Sequence, residues 1–143
     1  MVHLNYHRPG NCYVFGMTRI LLVEDSTDIL FLLQTELEWL GYTVDIASDA
    51  LKGLELAGRN RPNIIVSDLH MPGIDGCEFI RRVRQTRELS GIPAIALTGY
   101  SRDKEVNLAL AAGFDAHLTK PVDGKTISEM IARLLTKRMK KAS

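Results

Sequence analysis

The stretch "IIVSDLHMPGIDG", residues 64–76, decides how the rest of the chain is read. It opens as a short apolar run, β-branched and closed by a serine, which suits a strand buried on both faces. The run stops on one carboxylate, Asp68, and breaks into a turn that holds Pro72, Gly73, Asp75 and Gly76. Proline fixes φ and lacks a donor while glycine opens the left-handed region, so regular structure ends there. A helix follows from 76 to about 87, with Asp75 and Glu78 at capping-box spacing.

The same alternation extends in both directions. Upstream, "RILLV" at 19–23 reads as a buried strand. Residues 29–41 then form a helix with Ile29, Leu30, Leu33, Leu37 and Leu40 on one face and Gly41 as its stop. "YTVDIA" at 42–47 is a second strand, ahead of a helix at 50–58 carrying Leu51, Leu54 and Leu56. Downstream, "IPAIAL" at 92–97 is the fourth strand, and 101–112 is a helix opened by Ser101. "AHLT" at 116–119 is a short fifth strand, and 124–140 is the closing helix. Short strands alternating with longer amphipathic helices predict an α/β fold. Its five parallel strands are covered on both faces by five helices, and right-handed crossovers make it doubly wound.

The 143 residues suffice for one domain with a real core, and a formal charge of +1 gives no overall reason to expect nucleic acid or an anionic membrane as partner. The basic runs, "RRVRQTR" at 81–87 and the C-terminal one, read as helix ends and solvated faces. No apolar run reaches membrane-spanning length. Cys12 and Cys77 have no metal or redox spacing, so Cys77 reads as a small, reduced, buried hydrophobe and the chain as cytoplasmic. Residues 1–16 lack the apolar core of a signal peptide and show no period. They are read as a flexible leader, with His3, His7 and Cys12 incidental to it, and 17–143 as the domain, Met17 marking its edge.

In a doubly wound sheet, loops at the carboxyl ends of the strands converge on a crevice. Strand one ends in Glu24 and Asp25, strand three in Asp68, strand four in Thr98, and strand five in Lys120 and Pro121. Any one such residue is commonly a turn former or a cap. All of them at strand ends, on otherwise apolar strands, point instead to a site. Like charges at ~4 Å repel by several kcal/mol at a protein surface. A hard divalent cation relieves that repulsion, and an all-oxygen donor set suits Mg²⁺. Lys120 then supplies a point charge and Thr98 a hydroxyl to phosphate oxygens, leaving Asp68 as a nucleophile able to form an aspartyl phosphate.

The motifs "LLVEDS", "IIVSDLHMPGIDG", "ALTGY" and "HLTKP", in this order and at this spacing, resemble the receiver domain of two-component response regulators over residues 19–135. The resemblance implies the flavodoxin-like strand order 2-1-3-4-5. It also implies that Asp68 takes a phosphoryl group from a phosphohistidine on a sensor histidine kinase or a histidine phosphotransfer protein. Glu24, Asp25 and Asp68, with the backbone carbonyl of His70, would hold Mg²⁺; Thr98 and Lys120 would contact the phosphoryl group. A cis bond before Pro121 is implied too. The face of the fourth helix, fifth strand and fifth helix would be the output surface toward a protein target in trans, with no direct contact to nucleic acid. In place of the family's usual aromatic switch residue stands His117, so a switch shared by Thr98 and His117 is expected beside a simpler reading of His117 as a buried, bonded side chain.

Two rivals remain. One is a receiver-like interaction module that takes up no phosphate. The other is a Mg²⁺-dependent phosphohydrolase with an aspartyl nucleophile, which would need an acid/base carboxylate two residues after Asp68, where this chain has His70.

Overall fold

The computed structural model describes residues 18–99 and 103–142. Its elements alternate strictly: β1 (Arg19–Val23), α1 (Thr27–Trp39), β2 (Thr43–Ala47), α2 (Ala50–Asn60), β3 (Ile64–Asp68), α3 (Gly76–Gln85), β4 (Ala94–Thr98), α4 (Asp103–Ala112), β5 (Ala116–Thr119) and α5 (Gly124–Ala142). The strands form one parallel sheet in the order β2-β1-β3-β4-β5. This is the expected doubly wound, flavodoxin-like topology, and the reversal of strand order falls between β1 and β3, where such folds open a crevice. The assignments for the leader at 1–16, for Met17 and for Ser101 as a helix opener lie outside the described residues.

The period-two alternation of each strand divides the core. Leu21, Val23, Ile65, Ala94 and Ala96 face α2, α3 and α4, against Ala57, Phe79, Val83 and Ala109. Ile20, Leu22, Val66, Ile95 and Leu97 face α1 and α5, against Leu33, Leu37, Ile127 and Ile131. Polar caps set the helix starts: the side chains of Ser26, Asp49 and Asp75 accept from the backbone N–H of Ile29, Lys52 and Glu78. Glu78 does not close the capping box. Its carboxylate turns along α3 to Arg81 and Arg82.

Packing shifted several of the expected faces. Ile29 is 38% exposed and Leu51 63% exposed. The face of α2 that meets the sheet is built from Ala50, Gly53 and Ala57, because α2 lies close: a Cβ on Gly53 would stand 3.1 Å from both Phe79 and Val23 side chains. Leu54 and Leu56 pack half-buried at the edge of that face, and only Leu51 is left outside. Small residues carry no hydropathy signal comparable to leucine, so the centre of the stripe was not legible in the periodicity. Cys77 is half-buried against the α2–α3–α4 core rather than fully inside it, and its thiol is free. Burial, with Asp75 nearby, pushes that thiol above its ordinary pKa.

Arg84 departs most from the solvated basic face expected for 81–87. Its guanidinium donates to the carbonyls of Gly113 (2.9 Å), Ser90 (3.0 Å) and Ile92 (2.5 Å), and to Asp115 Oδ2 (3.1 Å). Asp115 Oδ2 also accepts from Ala94 N at 2.8 Å. One side chain thereby ties α3, the loop before β4 and the α4–β5 turn together. Arg84→Met is expected to lower unfolding stability by about 2–4 kcal/mol, since carbonyls bonded to a charged donor lose their partner at once. Urea unfolding should show the midpoint falling at constant slope; a loss under ~0.5 kcal/mol would mean that water replaces the arginine freely.

Candidate functional site

Four strands deliver their terminal side chains to one rim. The register places Asp68 of β3 opposite Leu97 of β4, so Thr98 stands one step beyond it, and Thr98 in turn lies opposite Thr119 of β5, just before Lys120. Alternation puts Asp68 on the α1–α5 side of the sheet, with Ile64 and Val66. Thr98 and His117 share the other side, His117 lying opposite Ala96.

Glu24 and Asp68 are buried to 1% and 4% exposure, whereas Asp25 is exposed. One carboxylate oxygen from each of the three lies within 4.8 Å of the others. Lys120 Nζ sits between two of them, 2.8 Å from Glu24 Oε1 and 3.1 Å from Asp68 Oδ2. The buried Glu24 Oε1 depends on its ion pair with Lys120 alone among the described residues. Glu24 Oε2 accepts from Ser26 N at 3.1 Å, and Asp68 Oδ1 accepts from His70 N at 3.3 Å.

These surroundings act on the charges in opposite senses. Burial pushes the Glu24 carboxyl above its ordinary range and Asp68 adds to this, against the pull of Lys120 and the Ser26 N–H. For Lys120, burial pulls downward, but Glu24 and Asp68 outweigh it and the ammonium titrates above its ordinary value. The rim therefore concentrates negative charge around one cation. A cluster of three carboxylates gathered about a single ammonium fits a hard divalent cation.

The loop beyond Asp68 is held by close backbone packing. Gly76 N donates to Leu69 O at 2.9 Å, and a Cβ at Gly76 would lie 2.3 Å from the Asp68 carbonyl oxygen. Only glycine lets α3 begin this near the end of β3. Thr98 is fully buried, and its hydroxyl donates a long bond of 3.5 Å to Leu118 O. The Lys120–Pro121 bond is cis.

Other partners of the rim had no signature in the sequence. The exposed His70 imidazole reaches α4, where its Nε2 lies 2.5 Å from Glu105 Oε1. Glu36 on α1 accepts from Gly124 N at 2.7 Å, at the start of α5. Both glutamates are helix acids of ordinary appearance, far in sequence from what they touch, so only the fold could disclose them.

Comparison with known proteins adds three findings. Residues 20–132 match the response regulator receiver domain family. Among curated relatives, an uncharacterized 14.6 kDa protein encoded in the sodA1 3' region of Leptolyngbya boryana is 45% identical over 104 residues, covering 73% of this chain and 79% of that protein. The transcriptional regulatory protein AfsQ1 of Streptomyces coelicolor is 38% identical over 119 residues, which cover 83% of this chain and 52% of AfsQ1. The chain thus spans about half the length of the transcriptional regulators it matches. Among solved structures, a CheY-like receiver domain protein from Methanospirillum hungatei superposes with a TM-score of 0.79 at 33% identity, covering 87% of this chain and 98% of that one. The Vibrio cholerae chemotaxis protein CheY4 gives 0.78 at 30% identity, covering 82% and 98%. Among the described residues no helix is long and apolar enough to cross a membrane.

Proposed function

The chain belongs to the response regulator receiver family, and on that premise we propose that Asp68 accepts a phosphoryl group from a phosphohistidine on a sensor histidine kinase or a histidine phosphotransfer protein. The observation that carries the reading is the placement of Lys120 Nζ, 3.1 Å from Asp68 and 2.8 Å from Glu24, at the edge of the three-carboxylate cluster. A nucleophilic carboxylate, a fixed cation and a cation-ready acidic cluster share one rim. An Asp68 oxygen attacks phosphorus in line; the new P–O bond forms as the P–N bond breaks, and its electron pair leaves with the donor imidazole.

Glu24, Asp25 and Asp68, with the His70 carbonyl, would hold Mg²⁺, which neutralises phosphoryl oxygens when bound. Lys120 offers its charge to one of those oxygens. Thr98 exchanges its long bond to Leu118 for a contact with the new group, and α4 shifts in consequence. His117, on the same face of the sheet, is the side chain that can fill the space behind Thr98. The surface of α4, β5 and α5 then changes, and a downstream protein target reads it. Moving such an equilibrium from mostly inactive to mostly active takes roughly 5 kcal/mol, which a few charge-assisted hydrogen bonds of about 1.5–3 kcal/mol each supply.

Intact-protein mass after incubation with acetyl phosphate tests the reading. The expected result is a gain of one phosphoryl group in the presence of Mg²⁺, abolished by chelation with EDTA. A folded chain that gains no mass under either condition would overturn it in favour of an interaction module that takes up no phosphate.

A further inference from the structure

We infer that Glu36, on α1 and remote in sequence from the rim, is a positioning residue that fixes where Lys120 reaches. The inference rests on the reading of Asp68 and Lys120 just given and extends it to a residue outside the site.

Lys120 belongs to the connection between β5 and α5, and that connection is pinned at both ends. At the near end Lys120 N donates to Thr98 O at 2.8 Å. At the far end Gly124 N donates to Glu36 Oε1 at 2.7 Å. The two helices meet there more closely than side chains would permit: a Cβ on Gly124 would lie 2.6 Å from Glu36 Cβ and 3.3 Å from the Glu36 carbonyl carbon. Between the pins, Val122 packs against the α1–α5 core.

The first turn of α5 leaves backbone N–H groups without partners inside the helix. Asp123 serves one of them, accepting from Thr126 N at 2.8 Å, and this bond holds its carboxyl below the ordinary range. Glu36 serves another from a different helix. A carboxylate at a helix N-terminus also complements the macrodipole, so α5 is drawn onto α1 at this point. Since α1 begins at Thr27, with only its cap Ser26 between it and the acidic pair, one helix both follows Glu24 and Asp25 and, through Glu36, anchors the segment carrying Lys120. A shift of the α5 start passes along four residues to the ammonium. Reactions of this kind tolerate such shifts poorly: a misplacement of ~1 Å can cost about a hundredfold in rate.

The experiment compares rates of phosphorylation by acetyl phosphate with Mg²⁺, at a temperature where circular dichroism shows each variant fully folded. Glu36→Ala is expected to react about tenfold more slowly than wild type. Glu36→Gln keeps an oxygen that accepts from Gly124 N and is expected to stay within about twofold. Tyr42→Phe is the control. It removes the 2.7 Å bond between the Tyr42 hydroxyl and Ser128 Oγ, one turn further along α5, and is expected to lower stability without slowing the reaction. Equal slowing by Glu36→Ala and Tyr42→Phe, or none by Glu36→Ala, would show that Glu36 merely holds the helix and would sink the inference alone. A wild-type chain that gains no mass would sink the reading of Asp68 first, and the inference with it.

Discussion

Asp68→Asn is expected to gain no phosphoryl group from acetyl phosphate and Mg²⁺, and to unfold in metal-free urea within about 1 kcal/mol of wild type. The two halves of this expectation have separate origins. Loss of uptake follows from chemistry: the asparagine amide is a poor nucleophile, because its electrons are delocalised, while its shape matches the carboxylate. Retained stability follows from the balance of charges at the rim. Asparagine gives up the attraction to Lys120 at 3.1 Å and, with it, the repulsion from Glu24 and Asp25 within 4.8 Å. At the effective dielectric of a protein surface each such pair is worth ~3–5 kcal/mol before further screening, so one lost attraction and two lost repulsions largely offset. The bond from His70 N survives, since Oδ1 of asparagine accepts it equally well. Mass spectrometry and urea unfolding on the same preparation decide the matter. A folded Asp68→Asn chain that still gains a phosphoryl group would place the acceptor on another residue.

This pairing of a reactive group with an even charge balance explains why the rim was legible in sequence. Asp68 and Thr98 end, and Glu24 and Lys120 directly follow, largely apolar strands, and a parallel sheet brings such ends together wherever the strands lie. The geometry of the fold thus turns position in the sequence into proximity. The strands themselves were equally legible, because burial on both faces demands continuous apolar runs such as residues 20–23 and 64–66. What stayed hidden depended on the distance between helices rather than on hydropathy. Gly53 and Ala57 form the buried stripe of α2 because Phe79 approaches so closely, and Leu51 is left outside. Arg84 looks like any exposed cation until Gly113, Ser90 and Ile92 present their carbonyls to it. Glu36 and Glu105 are the same case at the site, where partners 88 and 35 residues away carry no spacing rule.

Lys120→Met separates the two tasks assigned to the ammonium, holding the acidic cluster together and stabilising the phosphoryl group in flight. Without it, Glu24 keeps its burial and loses its ion pair, and Asp68 loses its only cationic partner among the described residues. Breaking a fully buried pair by removing one partner costs about 3–5 kcal/mol. Lys120 is a quarter exposed, so solvent reduces the effect to about 1–3 kcal/mol in metal-free buffer. On the proposed reading Mg²⁺ binds the folded cluster alone, and a more negative cluster binds it more tightly. Added Mg²⁺ should therefore raise the melting temperature of Lys120→Met more than that of wild type. Phosphoryl transfer should move the other way, falling by about 10²–10³-fold even at saturating Mg²⁺, as when one fixed donor to a developing charge is removed. Tighter metal binding combined with slower transfer is the signature of an ammonium that acts on the phosphoryl group itself. Transfer at the wild-type rate once Mg²⁺ restores stability would reduce Lys120 to a counterion of the resting cluster.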